Sequence, residues 1–188
     1  MSSNKIPYEY ENIIDLNIMK FIDTHIHIYK KLNLTPNKLT LMALITALLT
    51  VYLIYKKQYK YAAFMFLLSY YFDIVDGKFA RKYNMVTKFG DYFDHFVDFF
   101  KLLLLLIFLY KDNPTKFKNI IPLITFIILI SGFHILIQET LFENEENKTI
   151  VGLIKFNKKF AENNLYLIKY FGCGTTNVLI ALIIFFWN

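Results

Sequence analysis

Cysteine is nearly missing from this 188-residue sequence: Cys173 stands alone, so no intrachain disulfide can form. Arginine is nearly missing too. Arg81 is the single arginine among 21 basic residues, which face 15 acidic ones. A composition rich in lysine, asparagine and isoleucine points to an AT-rich genome, where arginine codons are scarce, and it singles out Arg81 as a residue to place. Charge is sparse overall, at 19% of residues, where a soluble domain carries about 25%. Six glycines and four prolines exclude a collagen-like chain. There is no internal repeat and no low-complexity tract. No compact basic stretch interleaved with aromatics is present, so nucleic acid is not an expected partner.

What is abundant is apolar. Hydrophobic residues make up 56% of the chain and aromatics 19%, gathered into long runs. These figures exclude an ordinary soluble enzyme and a disordered chain, and they fit a small integral membrane protein of one domain over residues 1–188. The first dozen residues are polar, so a cleaved signal peptide is not expected. Ser2 replaces the glycine that myristoylation needs, and no prenylation box ends the sequence.

Residues 13–32 read as an amphipathic helix, with Ile14, Ile18, Phe21, Ile22, His25, Tyr29 and Leu32 on one side. It suits the membrane interface or a protein surface. Thr35-Pro36 then opens a new element. Apolar runs follow at 39–55, 61–75, 93–110, 120–138 and 177–187. The expected fold is therefore all-α: a polytopic bundle of five to six transmembrane helices behind an interfacial helix. Catalytic helices fill 36–138 and a C-terminal segment fills 139–188. The sixth span is the open point, because Glu143, Glu145, Glu146, Lys148, Lys155, Lys158 and Lys159 oppose one, while 164–173 is apolar enough to supply it. Fourteen lysine and arginine residues fall on the side holding the N-terminus and the 77–89 turn. Six fall on the other side (Lys56, Lys57, Lys60, Lys111, Lys116 and Lys118), with Lys101 inside a span and left out. The bias places the first side in the cytoplasm.

The chemistry is concentrated between Asp73 and Asp98. At about 100° per residue, Asp73, Asp76, Gly77 and Ala80 share one helical stripe with Arg81 at its edge. Gly90, Asp94 and Asp98 share another, with Asp91 beside them. The turn between lets the stripes face each other. Each carboxylate at membrane depth costs about 2.5–3.5 kcal/mol, and four together repel. Divalent cations remove both costs, and hard oxygen ligands select Mg²⁺ or Mn²⁺. Gly77, Ala80 and Gly90 leave the helix surfaces open to a ligand, and Arg81 offers a forked contact to a phosphate.

The pattern D-x2-D-G-x2-A-R-x8-G-x3-D-x3-D resembles the signature of the CDP-alcohol phosphotransferase family at all its specified positions: Asp73, Asp76, Gly77, Ala80, Arg81, Gly90, Asp94 and Asp98. Pro36, Asn37 and Thr40 at the opening of the first span resemble the family layout as well. The resemblance implies two divalent ions, Mg²⁺ or Mn²⁺, held by Asp73, Asp76, Asp94 and Asp98. It implies that Asp98 is also the general base, and that Pro36, Asn37, Lys38, Leu39, Gly77, Arg81 and Thr87 contact the CDP moiety. The implied reaction is attack of an acceptor hydroxyl on the β-phosphorus of a CDP-alcohol, with CMP leaving, in phospholipid biosynthesis. A homodimer among membrane lipids is implied as well, with its active site facing the cytoplasm.

His95 is an extra feature. Asp94-His95 after Gly90-Asp91 resembles the choline/ethanolamine phosphotransferase branch, which leans to CDP-choline or CDP-ethanolamine as donor and diacylglycerol as acceptor. The alternative is CDP-diacylglycerol with a small polar alcohol. His95 is an alternative base to Asp98, or simply a hydrogen-bond partner of Asp91, itself a supporting residue or an exposed charge. His134 and Gln138 read as interhelical hydrogen-bonding groups or as lining for an acceptor pocket, and His25 and His27 as non-ligands, since they lie on different helix faces. Two rivals remain: a divalent-cation carrier, which has no use for Arg81 beside its ion, and a catalytically dead scaffold, which the intact motif opposes. Cys173 and Trp187 carry no signal.

Overall fold

The computed structural model describes residues 7–142 and 157–188. Ser2 and Lys5, and the charged residues Glu143, Glu145, Glu146, Lys148 and Lys155, lie outside the described residues. The described residues are helical, without strands: α1 (Ile13–Lys31), α2 (Pro36–Tyr55), α3 (Tyr59–Lys82), α4 (Lys88–Asp112), α5 (Pro114–Phe142), α6 (Lys158–Ile168) and α7 (Cys173–Phe185). By length and composition, three segments can cross a membrane: 36–55, 114–142 and 158–185. The 24-residue α3 and 25-residue α4 are also long enough, at about 1.5 Å per residue, and they carry the acidic motif. Four of the five expected apolar runs lie wholly in helices, and the fifth, 177–187, runs two residues beyond the end of α7. The ambiguous C-terminal segment holds the short helix α6, which continues through a 3₁₀ turn, Lys169–Phe171, into the 13-residue α7.

Local sequence sets the helix ends. Asn12, Thr35, Thr87 and Asn157 cap α1, α2, α4 and α6 through side-chain oxygens that accept backbone N–H groups. Pro36 sits in the first turn of α2, where its missing N–H costs nothing. Helices α1, α2 and α3 end alike: Asn33, Lys57 and Asn84 take positive φ, and the next residue donates back across six positions, as Met85 does to the Ala80 carbonyl at 2.8 Å. The reversal after α2 brings α3 back alongside it.

In lipid, helices associate through close packing and hydrogen bonds rather than through hydrophobic expulsion. Small residues are accordingly frequent among the buried positions of the two most closely packed helices: Ala43, Ala47, Thr46 and Thr50 on α2, and Ala62, Ala63 and Ser69 on α3. Ser69 donates to the Ala43 carbonyl at 2.7 Å. Helix α2 packs against both α3 and α4, whereas α3 and α4 approach each other closely at few backbone positions. The two acidic helices are therefore splayed, and side chains bridge the gap between them.

Helix α1 packs on α3 through Ile22 and Ile26, which join Leu39, Val75 and Phe79 in one core cluster. Its expected apolar stripe is shifted: Phe21 and Leu32 face outward, whereas Asp15, Ile22 and Ile26 are buried. The buried line follows a protein contact rather than the apolar maximum, because α1 also meets polar partners. Asp23 receives Lys78 Nζ at 2.7 Å, and His25 Nε2 lies 2.5 Å from the Tyr71 hydroxyl.

Helix α7 covers the first half of α3 and α1 covers the second half, and the two meet near Tyr70. Asn12 donates from its side chain to the Lys169 carbonyl at 2.7 Å and to Thr175 Oγ1 at 3.0 Å. Asp15 accepts from the Gly174 amide at 3.0 Å and from the Tyr70 hydroxyl. A Cβ on Gly174 would lie 2.6 Å from Asn12 Oδ1, so this approach requires glycine. His134 is buried with neither ring nitrogen hydrogen-bonded among the described residues. It fills the space beside Gly172 instead of forming the expected interhelical bond. Gln138 does form one, to the Tyr10 carbonyl at 3.2 Å. The far end of the bundle is pinned by Trp187, whose indole shares Asp112 Oδ2 with the Tyr59 hydroxyl, each at 2.9 Å.

Candidate active site

The spacing of the aspartates turns into one polar cluster between α3 and α4. Asp73 and Asp76 come from the second half of α3, and Asp94 and Asp98 from the first half of α4. Asp76 lies within electrostatic reach of Asp94, Asp73 and Asp98. Exposure rises across the cluster, from 4% for Asp76 to 44% for the Asp98 side chain, which therefore stands at the mouth.

A residue with no assigned role in the motif occupies the centre. Lys101 Nζ lies 2.5 Å from Asp73 Oδ1 and 2.7 Å from Asp98 Oδ1. Thr40, from the first turns of α2, donates to Asp76 Oδ2 at 2.7 Å. Asp94 Oδ1 is buried without a hydrogen-bond partner among the described residues. A carboxylate oxygen left unsatisfied in this way is costly, and a cation is the natural partner. Four hard-oxygen donors, one of them with a bare buried oxygen, fit Mg²⁺ or Mn²⁺. Asp94, His95 and Asp98 also bring ligand atoms within 4.8 Å of one another.

Around this cluster the helix ends converge. Asn37, at the start of α2, and Thr87, the cap of α4, meet at Gly90: a Cβ there would lie 3.2 Å from Asn37 Oδ1 and 3.0 Å from Thr87 Oγ1. Two helix N-termini with their free N–H groups thus border the cluster, an arrangement suited to an anion. On α3 the guanidinium of Arg81 folds back over Gly77, 3.3 Å from where a Cβ would sit, and feels the charges of Asp76, Glu11 and Asp94.

Other expected site residues fall elsewhere. Leu39 is fully buried in the core with Ile22 and Val75, so its side chain is closed to a ligand. Lys38 is exposed, and its Nζ donates to the Asn33 carbonyl at 3.4 Å. Pro36 stays partly exposed at the first turn of α2. His95 and Asp91 are paired along α4 at 3.8 Å, an ion-pair separation too long for a hydrogen bond, with side chains 54% and 68% exposed. Lys101 and Thr40 were the residues to find. The signal for Lys101 was a lone cation in an apolar run, three positions after Asp98 on the same face. Thr40 was visible only as part of the Pro36–Thr40 stretch.

A family model described as CDP-alcohol phosphatidyltransferase matches residues 33–187. The chain belongs to this family. It is 39% identical over 84 residues to the CDP-diacylglycerol–glycerol-3-phosphate 3-phosphatidyltransferase of Rickettsia felis, covering 42% of this chain and 45% of that enzyme. The enzyme of the same name from Rickettsia typhi matches at the same identity and length, over 46% of its own chain. An uncharacterized protein of Aquifex aeolicus is 29% identical over 114 residues, 61% of this chain and 58% of its own. The chain spans about half the length of the curated relatives it matches. No solved structure matches it.

Proposed function

We propose that this protein transfers a phosphatidyl group from CDP-diacylglycerol to the hydroxyl of a small polar alcohol, releasing CMP. The observation that carries the reading is the convergence of Asp73, Asp76, Asp94 and Asp98 from two splayed helices, beside Arg81 and two helix N-termini. The donor choice departs from the lean towards CDP-choline or CDP-ethanolamine. That lean rested on His95, whose half-exposed side chain pairs with Asp91. Two relatives, moreover, bear names that specify CDP-diacylglycerol and glycerol 3-phosphate.

In this mechanism the cluster of Asp73, Asp76, Asp94 and Asp98 would hold Mg²⁺ or Mn²⁺, which would supply charge neutralisation for the phosphoryl transfer. Arg81 takes a phosphate oxygen of the donor through its fork, and the α2 and α4 N-termini at Asn37 and Thr87 orient the rest of the CDP moiety. Asp98, at the mouth of the cluster, accepts the proton of the acceptor hydroxyl. The acceptor oxygen bonds to the β-phosphorus, the bond to the bridging oxygen breaks, and CMP departs with that electron pair. No protein nucleophile is needed. The lysine and arginine bias supports a cytoplasmic placement of this end of the bundle within a multi-pass membrane protein, and the family resemblance supports a homodimer among membrane lipids.

The test is CMP release by the purified protein in lipid micelles with Mg²⁺. Donors are CDP-diacylglycerol, CDP-choline and CDP-ethanolamine. Acceptors are glycerol 3-phosphate, inositol, inositol phosphate, serine and diacylglycerol. Release with CDP-diacylglycerol and one polar acceptor, lost in Asp98→Asn, is the expected result. Release only with CDP-choline or CDP-ethanolamine and diacylglycerol reverses the donor assignment. No release with any pair overturns the enzyme reading in favour of a carrier or scaffold.

A further inference from the structure

We propose that Lys101 is a built-in second cation of the acidic site, so that each chain takes up one divalent ion rather than two. The inference rests on the reading of the cluster as a metal site, and it departs from the two ions that the family resemblance implies. Its basis is the placement of the ammonium. Lys101 Nζ makes two charge-assisted contacts, 2.5 Å to Asp73 Oδ1 and 2.7 Å to Asp98 Oδ1, one across the gap to α3 and one within α4. The side chain is only 14% exposed, so the cation belongs to the interior of the site rather than to its rim. A divalent ion that takes Asp73 Oδ1 and Asp98 Oδ1 as ligands displaces a buried ammonium from both of its charge partners, which is costly.

The other half of the cluster is differently equipped. Asp76 accepts a neutral hydroxyl from Thr40, and Asp94 Oδ1 is buried with nothing to bond. The unmet demand for a cation therefore lies with Asp94 and Asp76. Charge balance agrees. Lys101 offsets one of the four carboxylates in place, so the cluster asks for less added positive charge than four bare aspartates would. Lysine at this position thus does the neutralising work of an ion without occupying a coordination sphere.

The experiment counts ions rather than turnover. Full-length protein in detergent micelles is stripped of metal and titrated with Mn²⁺, and free Mn²⁺ is read by electron paramagnetic resonance. Size-exclusion profiles check the fold of each variant. The expected counts are one tight ion for the wild type, two for Lys101→Met and Lys101→Gln, and one for Lys101→Arg, which keeps the cation. Two ions in the wild type overturn the inference while leaving the metal reading intact, and this single count decides the matter even where neither neutral variant folds. One ion in both the wild type and Lys101→Met also overturns it. No ion bound by any form, with Asp94→Asn indistinguishable from wild type, overturns the metal reading itself and the inference with it.

Discussion

Thr40 and Asp76 are joined by a 2.7 Å hydrogen bond that ties the first turns of α2 to the acidic face of α3. Thr40 also donates to the Pro36 carbonyl at 3.2 Å, so one hydroxyl couples the helix start to the carboxylate. Replacing it with valine keeps the volume and removes the donor. Leaving a buried carboxylate oxygen without that bond costs about 1–3 kcal/mol. Thr40→Val is expected to lower the thermal unfolding midpoint in detergent and to slow CMP release about tenfold, at about 1.4 kcal/mol per factor of ten. Thr40→Ser should restore both. Equal activity in Thr40→Val and wild type removes Thr40 from the site.

The Asp23–Lys78 pair is asymmetric, and the asymmetry is measurable. Lys78 is fully buried, whereas the Asp23 side chain is 36% exposed and has Lys82 as a further partner at 3.9 Å. Asp23→Ala strands a buried ammonium, at about 3–5 kcal/mol. Lys78→Met leaves a carboxylate with water and Lys82 at hand. Thermal unfolding of the two variants should rank Asp23→Ala well below Lys78→Met. The reverse order contradicts this account of how α1 is held to α3.

Gly77→Ala separates stability from function. Alanine is about 0.8–1 kcal/mol better than glycine inside a helix. The new Cβ, however, would sit 3.3 Å from one terminal nitrogen of Arg81 and 3.4 Å from the other, and would shift the guanidinium. The expected result is an unchanged or raised unfolding midpoint with a KM for the CDP-donor raised several-fold. An unchanged KM argues that Arg81 does not touch the donor.

Asp15 gives stability a pH dependence. Burial pushes its carboxyl up to about 7, opposed by the Gly174 amide bond and reinforced by the charges of Glu11 and Asp73. In the unfolded chain an aspartate ionises near 3.9. The folded state therefore holds the proton more tightly. Its contribution is complete below the unfolded value and is lost as pH rises through about 7. The unfolding midpoint should fall between pH 5 and pH 8 more steeply in wild type than in Asp15→Asn, whose side chain still accepts from Gly174 but cannot ionise. Parallel slopes in the two proteins exclude Asp15 as the source.

Much of this was legible in the sequence, for reasons that differ by residue. The five apolar runs and the Thr35-Pro36 start are local signals, governed by hydropathy and capping. The four aspartates were legible because their spacing fixes one stripe on each helix. What escaped depends on how helices are juxtaposed. That Leu39 points into the core is decided by α1 lying over it, and that Lys101 reaches Asp73 is decided by α3 and α4 both leaning on α2. Trp187 looked inert in the sequence, because its partner Asp112 is 75 residues away.

The meeting of α1 with α7 has a consequence for the order of synthesis. Asn12 finds its partners in Lys169 and Thr175, 157 and 163 residues downstream. At about 5–20 residues per second, the ribosome delivers them roughly ten to thirty seconds after α1 emerges. The first helix to be translated is thus among the last to be secured. During that interval the second half of α3, with Lys78 and the first two aspartates, has its own α1 contacts available but not the latch that locks them in place.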